Sequence, residues 1–165
     1  ADDYVKWTVE QMDRHGIDKA LIGWNENATS RRAKEMFGDR FFFDLPCDPN
    51  KGMEEVRRIK RIHAEVGLSA ISVFPAGTLP QVAINHKYMF PLYAYYSTSA
   101  FAPKHYPKAI IDYANTRGAD KIIYAGYFPM GLSLERIMSD MEHVPLQDEV
   151  WPKFLRDNAR KVFKL

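Results

Sequence analysis

One cysteine, Cys47, stands alone in the 165 residues, which excludes an intramolecular disulfide and any cysteine-based zinc motif. A reducing, cytoplasmic setting is expected. No apolar run approaches the roughly 18 to 20 residues that a membrane helix needs, and the start Ala1-Asp-Asp-Tyr4 is acidic rather than signal-like. No membrane partner is expected. One-sided charge is scarce too. The net charge is +2, and Arg57, Arg58, Lys60 and Arg61 alternate with Glu54, Glu55 and Glu65, so the run reads as a solvated helix face and no nucleic-acid surface is expected. Neither Gly-x-Gly-x-x-Gly nor Gly-x-x-x-x-Gly-Lys occurs, which sets aside dinucleotide and phosphate-loop chemistry. A Gly-x-Ser-x-Gly nucleophile elbow is also missing. The five histidines, His15, His63, His86, His105 and His143, include no pair two residues apart.

What is present is a composition of 46% hydrophobic and 27% charged residues, suited to a single globular domain over 1–165 with its own core. Val5, Val9 and Met12 recur at helical spacing and Gly16 follows as a stop. Residues 18–24 read as a buried strand, with Asn25, Glu26, Asn27 and Thr29 supplying loop and cap chemistry for a helix to Phe37. An aromatic strand at 40–45 ends at Pro46 and Pro49. A helix from about Gly52 to Glu65, stopped by Gly67, leads into a strand at 68–74. This alternation implies a parallel sheet with helices outside it. The rhythm fails between Leu92 and Phe101, where helix-like residues pass into strand-like ones with no turn residue between. Beyond lie a strand at 95–101, a helix from Pro103 to Gly118, the apolar strand 121–127, a helix from Ser133, and a last helix from about Gln147 to Phe163.

Several of these segments, in this order, resemble the amidohydrolase-related family, the branch with metal-dependent hydrolases and decarboxylases of the aminocarboxymuconate-semialdehyde type. The resemblance is carried by Glu10-Gln-Met-Asp-Arg-His-Gly-Ile-Asp-Lys-Ala-Leu-Ile22, Gly38-Asp-Arg-Phe41 with Cys47-Asp-Pro49, and Glu54-Glu-Val-Arg-Arg58 running into Gly67. It continues with Lys121-Ile-Ile-Tyr-Ala-Gly-Tyr-Phe-Pro-Met-Gly131, Pro145-Leu-Gln-Asp-Glu149 and Asn158-Ala-Arg-Lys-Val-Phe163. It implies an α/β fold, a TIM-type (β/α) barrel with parallel strands and outer helices. Such a barrel has eight strands in about 250 residues, whereas five are legible here. The expected form is therefore an incomplete or compressed barrel, without the first strand and an internal segment near Ala94 and Tyr95, about three strand-helix units in all.

Barrels of this kind work at the carboxyl ends of their strands, which nominates Trp24, Asn25 and Glu26, Cys47 and Asp48, Phe74 and Pro75, Ser97, Ser99 and His105, and Gly126, Tyr127 and Phe128. From these, His105 and Tyr127 are the catalytic candidates, and Trp24, Asn25, Phe74, Ser99 and Phe128 the substrate-binding ones. His105 serves either catalysis or packing. Glu26 and Asp48 are either an acid/base pair or a helix cap and a turn residue. The family's last strand ends in an aspartate that binds metal and moves protons, and Tyr127 stands at that position. A phenol there is a neutral donor to an oxyanion or an aromatic filler. No metal ligands are evident in the chain, although the resemblance implies a divalent ion, zinc or manganese. Two functions follow. One is a hydrolase or decarboxylase acting on a small carboxylated or cyclic substrate. The other is a non-catalytic relative that binds a ligand, a second copy or a partner subunit.

Overall fold

Two compact units, Ala1–Ile84 and Asn85–Leu165, make up the chain in a computed structural model that describes residues 1–72, 95–98, 102–126, 128–129 and 131–165. The architecture is α/β, with parallel strands in two small sheets.

In the first unit, helix α1 (Asp2–Arg14) buries Val5, Val9 and Met12, the stripe that the 3.6-residue period demands. Strand β1 (Ala20–Gly23) follows. Helix α2 (Ala28–Phe37) begins where the Asn27 side chain accepts from the Ser30 amide, satisfying a donor that the first turn leaves open. Strand β2 (Phe41–Pro46) is central, with β1 and then β3 (Ala70–Ser72) parallel on its two sides. Helix α3 (Met53–Val66) lies between β2 and β3 and stops at Gly67, whose φ of 75° is left-handed and open to glycine without steric cost. Parallel neighbours need such a crossover helix.

Alternation along β2 sorts its side chains. Phe41, Phe43 and Leu45 are buried with Val5, Val9, Met12, Trp24, Ala33, Ile62 and Val66 in the core under the helices. Register puts Leu21 and Gly23 of β1 with Phe42 and Asp44 of β2 on the opposite face. Pro46 was expected to lie beyond this strand, yet it pairs with Ser72 as its last residue, a place where a missing amide is tolerated.

In the second unit, β4 (Tyr96–Ser97) and β5 (Ile122–Ile123) pair in parallel. The single helix expected from Pro103 to Gly118 is instead a 3-10 turn, Pro103–His105, and a shorter helix α4, Lys108–Ala114. Pro107 separates them, having no amide to continue a helical ladder. Helix α5 (Leu134–Met141) starts at Ser133, which accepts from the Arg136 amide. The final helix expected from about Gln147 begins instead at Trp151 and runs to Phe163, with a π-helical stretch at Lys153–Asp157 ahead of helix α6 at Asn158–Phe163. Ile111, Ala114, Ile122, Leu134, Ile137, Met141, Val150 and Phe154 are buried in this unit. Among the described residues, no helix is long and apolar enough to cross a membrane.

Candidate functional site

The carboxyl ends of β1, β2 and β3 gather the polar side chains of the first unit. β1 runs out into Asn25 and Glu26. Glu26 has a φ of 58°, an uncommon left-handed conformation for a residue with a side chain. Asn25 is fixed at the backbone, where its amide donates to Ser30 Oγ at 3.4 Å. On the face away from the helices, Asp44 Oδ2 accepts a short hydrogen bond from Ser72 Oγ. Gly23 leaves this corner open, since a Cβ on it would stand 3.8 Å from both Asn25 Oδ1 and Asp44 Oδ1.

Beyond β2, Asp48 accepts from the Asn50 amide at 3.0 Å and caps the turn Pro49–Lys51, so the structural role considered for it is realised. Behind it lies Glu55, only 4% exposed. Its Oε1 accepts from the Asp48 amide at 3.2 Å and from Arg58 Nη1 at 2.7 Å. A buried carboxylate persists when its lone pairs are met in this way. Arg58 Nη1 also donates to the Pro46 carbonyl at 3.1 Å, and Arg58 Nε stands 3.9 Å from Glu26 Oε1. Glu55 and Arg58 thus do not belong to the solvated face that their spacing suggested. Their guanidinium and carboxylate clamp the end of β2 and the loop after it. Cys47 is half-buried, its Sγ 3.1 Å from the Leu45 carbonyl. Burial, with Glu55 nearby, pushes its thiol above the ordinary value, which disfavours the nucleophilic thiolate.

The sequence-nominated residues separate. Trp24 is 4% exposed and lies edge-on to Phe43 at 5.2 Å with Arg31 over its ring. It is a core residue, because an even step along β1 carries it to the helix-covered face. Asn25 is exposed at the strand end. In the second unit, His105 closes the 3-10 turn and is exposed, and Phe128 is half-buried before a cis peptide bond to Pro129. Phe74, Ser99 and Tyr127, with His86, lie outside the described residues. Asp44, Glu55, Arg58 and Ser72 were not nominated. Asp44 carries a signal, since a carboxylate interrupts Phe-Phe-Phe-Asp-Leu at an alternating position.

In the second unit, Thr98 follows β4, and its buried hydroxyl accepts from the Ala125 amide and from Tyr106 OH, both at 3.1 Å. Tyr106 and Tyr124 both meet Phe154 edge-on. Burial, with Tyr106 second, pushes the Tyr124 phenol up to about 12.

Among the described residues, no three of His, Cys, Asp and Glu converge as a metal site. A shallow hollow of 220 Å³ lined by Ile59, His63, Leu68, Ser69, Ala70 and Ile71 lies at the opposite, amino end of β3. Comparison with family models, curated proteins and solved structures finds no match to this chain.

Proposed function

We propose that the chain is an incomplete TIM-type barrel of the amidohydrolase-related kind, acting as a hydrolase or decarboxylase on a small carboxylated or cyclic molecule. The observation that carries this reading is the placing of Asn25 and Glu26 after β1 and of Ser72 at the end of β3, with Asp44 of β2 bonded to Ser72 and Arg58 of α3 bonded to the Pro46 carbonyl at the end of β2, each of the first two strands being followed by its helix. Glu26 is a proton-transfer candidate, Asp44 orients the Ser72 hydroxyl, and Arg58 meets negative charge. His105 and Tyr127 enter as catalytic groups, and Phe74, Ser99 and Phe128 as substrate contacts, on the family resemblance alone. Zinc or manganese is part of the same resemblance. The oxygen donors Asn25, Glu26 and Asp44 suit a hard ion such as manganese better than zinc, but they do not form a ligand set.

Metal analysis of gently purified protein, followed by assay on carboxylated amides, lactones and β-keto acids with added zinc or manganese, tests this reading. Turnover with stoichiometric metal supports it. Absence of both bound metal and turnover removes it.

A non-catalytic relative that pairs with a second copy or another subunit is the second reading. Exposed Leu21 and Ile71 on the two outer strands favour it. Sedimentation at low micromolar concentration decides, since a stable monomer counts against it.

A further inference from the structure

We infer that the Nε–Nη2 edge of Arg58 is a docking position for a carboxylate. A guanidinium has five N–H donors in a planar fork. Both hydrogens of Nη1 are used, one on the Pro46 carbonyl and one on Glu55. The Nε–H and the two Nη2 hydrogens have no hydrogen-bond partner among the described residues. Nε and Nη2 present two parallel donors, the pair that a carboxylate accepts side-on. The nearest acceptor, Glu26 Oε1, is 3.9 Å from Nε, beyond hydrogen-bond reach.

Two features make this more than a surface arginine. Buried Glu55 and the Pro46 carbonyl hold the guanidinium in one orientation, so little side-chain freedom remains to be lost on binding. The side chain is still 32% exposed, so a ligand can reach it from solvent. Glu26, in its left-handed conformation, is poised as an internal competitor that must give way. The surroundings select the ligand's charge. Glu26 and Glu55 stand beside one guanidinium that Glu55 already neutralises, so a dianionic phosphate or sulfate meets about twice the repulsion that a singly charged carboxylate does.

The assignment shares with the proposed function the premise that the strand ends are the working face, but binding can be scored without turnover. Sodium benzoate is titrated into the 15N-labelled full chain at fixed ionic strength. Backbone amides of residues 24–27 and 46–48 and the arginine Nε–H signals are followed, with phosphate and sulfate as separate arms. The expected result is a saturable shift of one arginine Nε–H and of those amides with benzoate, and weaker or no response to the dianions. Arg58→Lys keeps the charge but loses the fork and should weaken binding about tenfold or more. Glu26→Gln removes the competitor and should tighten binding several-fold. Lysine binding as well as arginine, phosphate binding tighter than benzoate, or no saturable shift in either the unaltered chain or Glu26→Gln would each overturn the inference. Should Arg58→Lys not fold, Glu26→Gln decides alone, and an unchanged affinity refutes the competing arrangement. Benzoate binding without turnover would remove the hydrolase reading and leave this site. Turnover without benzoate binding would do the reverse.

Discussion

The two units solve one problem, how to end parallel strands, by different means. In the first, a β2 of six residues pairs on both sides, and the helices cover Phe41, Phe43 and Leu45. In the second, β4 and β5 are two residues each, too short for a ladder to satisfy much backbone. Side chains do it instead. Asn158 Nδ2 donates to the carbonyls of Ala119 and Ile122, each at 2.8 Å. Thr98 bridges to Ala125, and Asn115 takes the Pro145 carbonyl and the Gln147 amide. Buried backbone groups must be paired whatever supplies the partner. The lesson is that the first unit depends on apolar volume and the second on a few polar side chains.

Breaking the first unit's apolar packing should have the largest effect. Leu45 and Ile62 are fully buried, and Leu45→Ala should lower the unfolding free energy by about 2–5 kcal/mol in urea titration. A loss under about 1 kcal/mol would show that β2 is not the centre of that core. Next comes Asn158→Leu, which keeps volume but abandons two carbonyls. The cost should be roughly 2–4 kcal/mol, and the loss of amide-exchange protection should concentrate at residues 119–124. Uniform loss of protection across both units would contradict the division of labour.

Alkaline pH sharpens the comparison further, because among the described residues the buried phenols whose ionisation is suppressed, Tyr106 and Tyr124, belong to the second unit. The Tyr124 phenol lies at about 12 in the folded chain, against an ordinary value near 10. The folded state therefore keeps its proton longer than the unfolded state. The corresponding stability is complete below about pH 10 and is lost as pH rises through 12. Absorbance at 295 nm should show Tyr124, and Tyr106 with it, ionising after the exposed tyrosines. Tyr124→Phe should flatten the alkaline loss of stability, and a chain whose tyrosines all titrate together near 10 would refute the packing.

How much of this the sequence discloses follows from the same contrast. Local signals dominate the first unit: the Val5, Val9, Met12 stripe, Asn27 as a cap, Gly67 as a stop, and an aromatic strand with period two. Each is written within a few residues, so its elements are legible to within two or three positions. In the second unit, Pro107 divides a helix that apolar periodicity joins, and a π-helical stretch at 153–157 lies within the last one. The residues that hold the short strands, Asn158 and Thr98, act over 36 and 27 positions, a distance that no local pattern encodes. The site divides likewise. Asn25 and Glu26 stand after β1, where the strand-end rule puts them. Trp24 lies in the core, because the rule gives a position along the strand but not the face. Glu55 and Arg58 are hidden because an i, i+3 pair reads the same on a solvated helix and at a buried clamp.

The smallest expected effect compares two helix caps. Asn27 Oδ1 accepts from the Ser30 amide at 2.9 Å, whereas Ser133 Oγ accepts from the Arg136 amide at 3.3 Å. Asn27 does more than cap. The one hydrogen of Ser30 Oγ is shared between Asn27 Oδ1 at 3.1 Å and the Gly23 carbonyl at 3.3 Å, which fastens the start of α2 to the end of β1 across the loop holding Glu26. Asn27→Ala should therefore cost about 1 kcal/mol and Ser133→Ala about half as much, measured by thermal unfolding. Asn27→Ser, which retains a capping oxygen, should recover most of the loss. Only the Asn27 change should also disturb the amides of residues 24–26, because only that cap is bonded into a strand end. Equal costs with no such disturbance would reduce both residues to ordinary caps and leave the left-handed Glu26 without the support drawn for it.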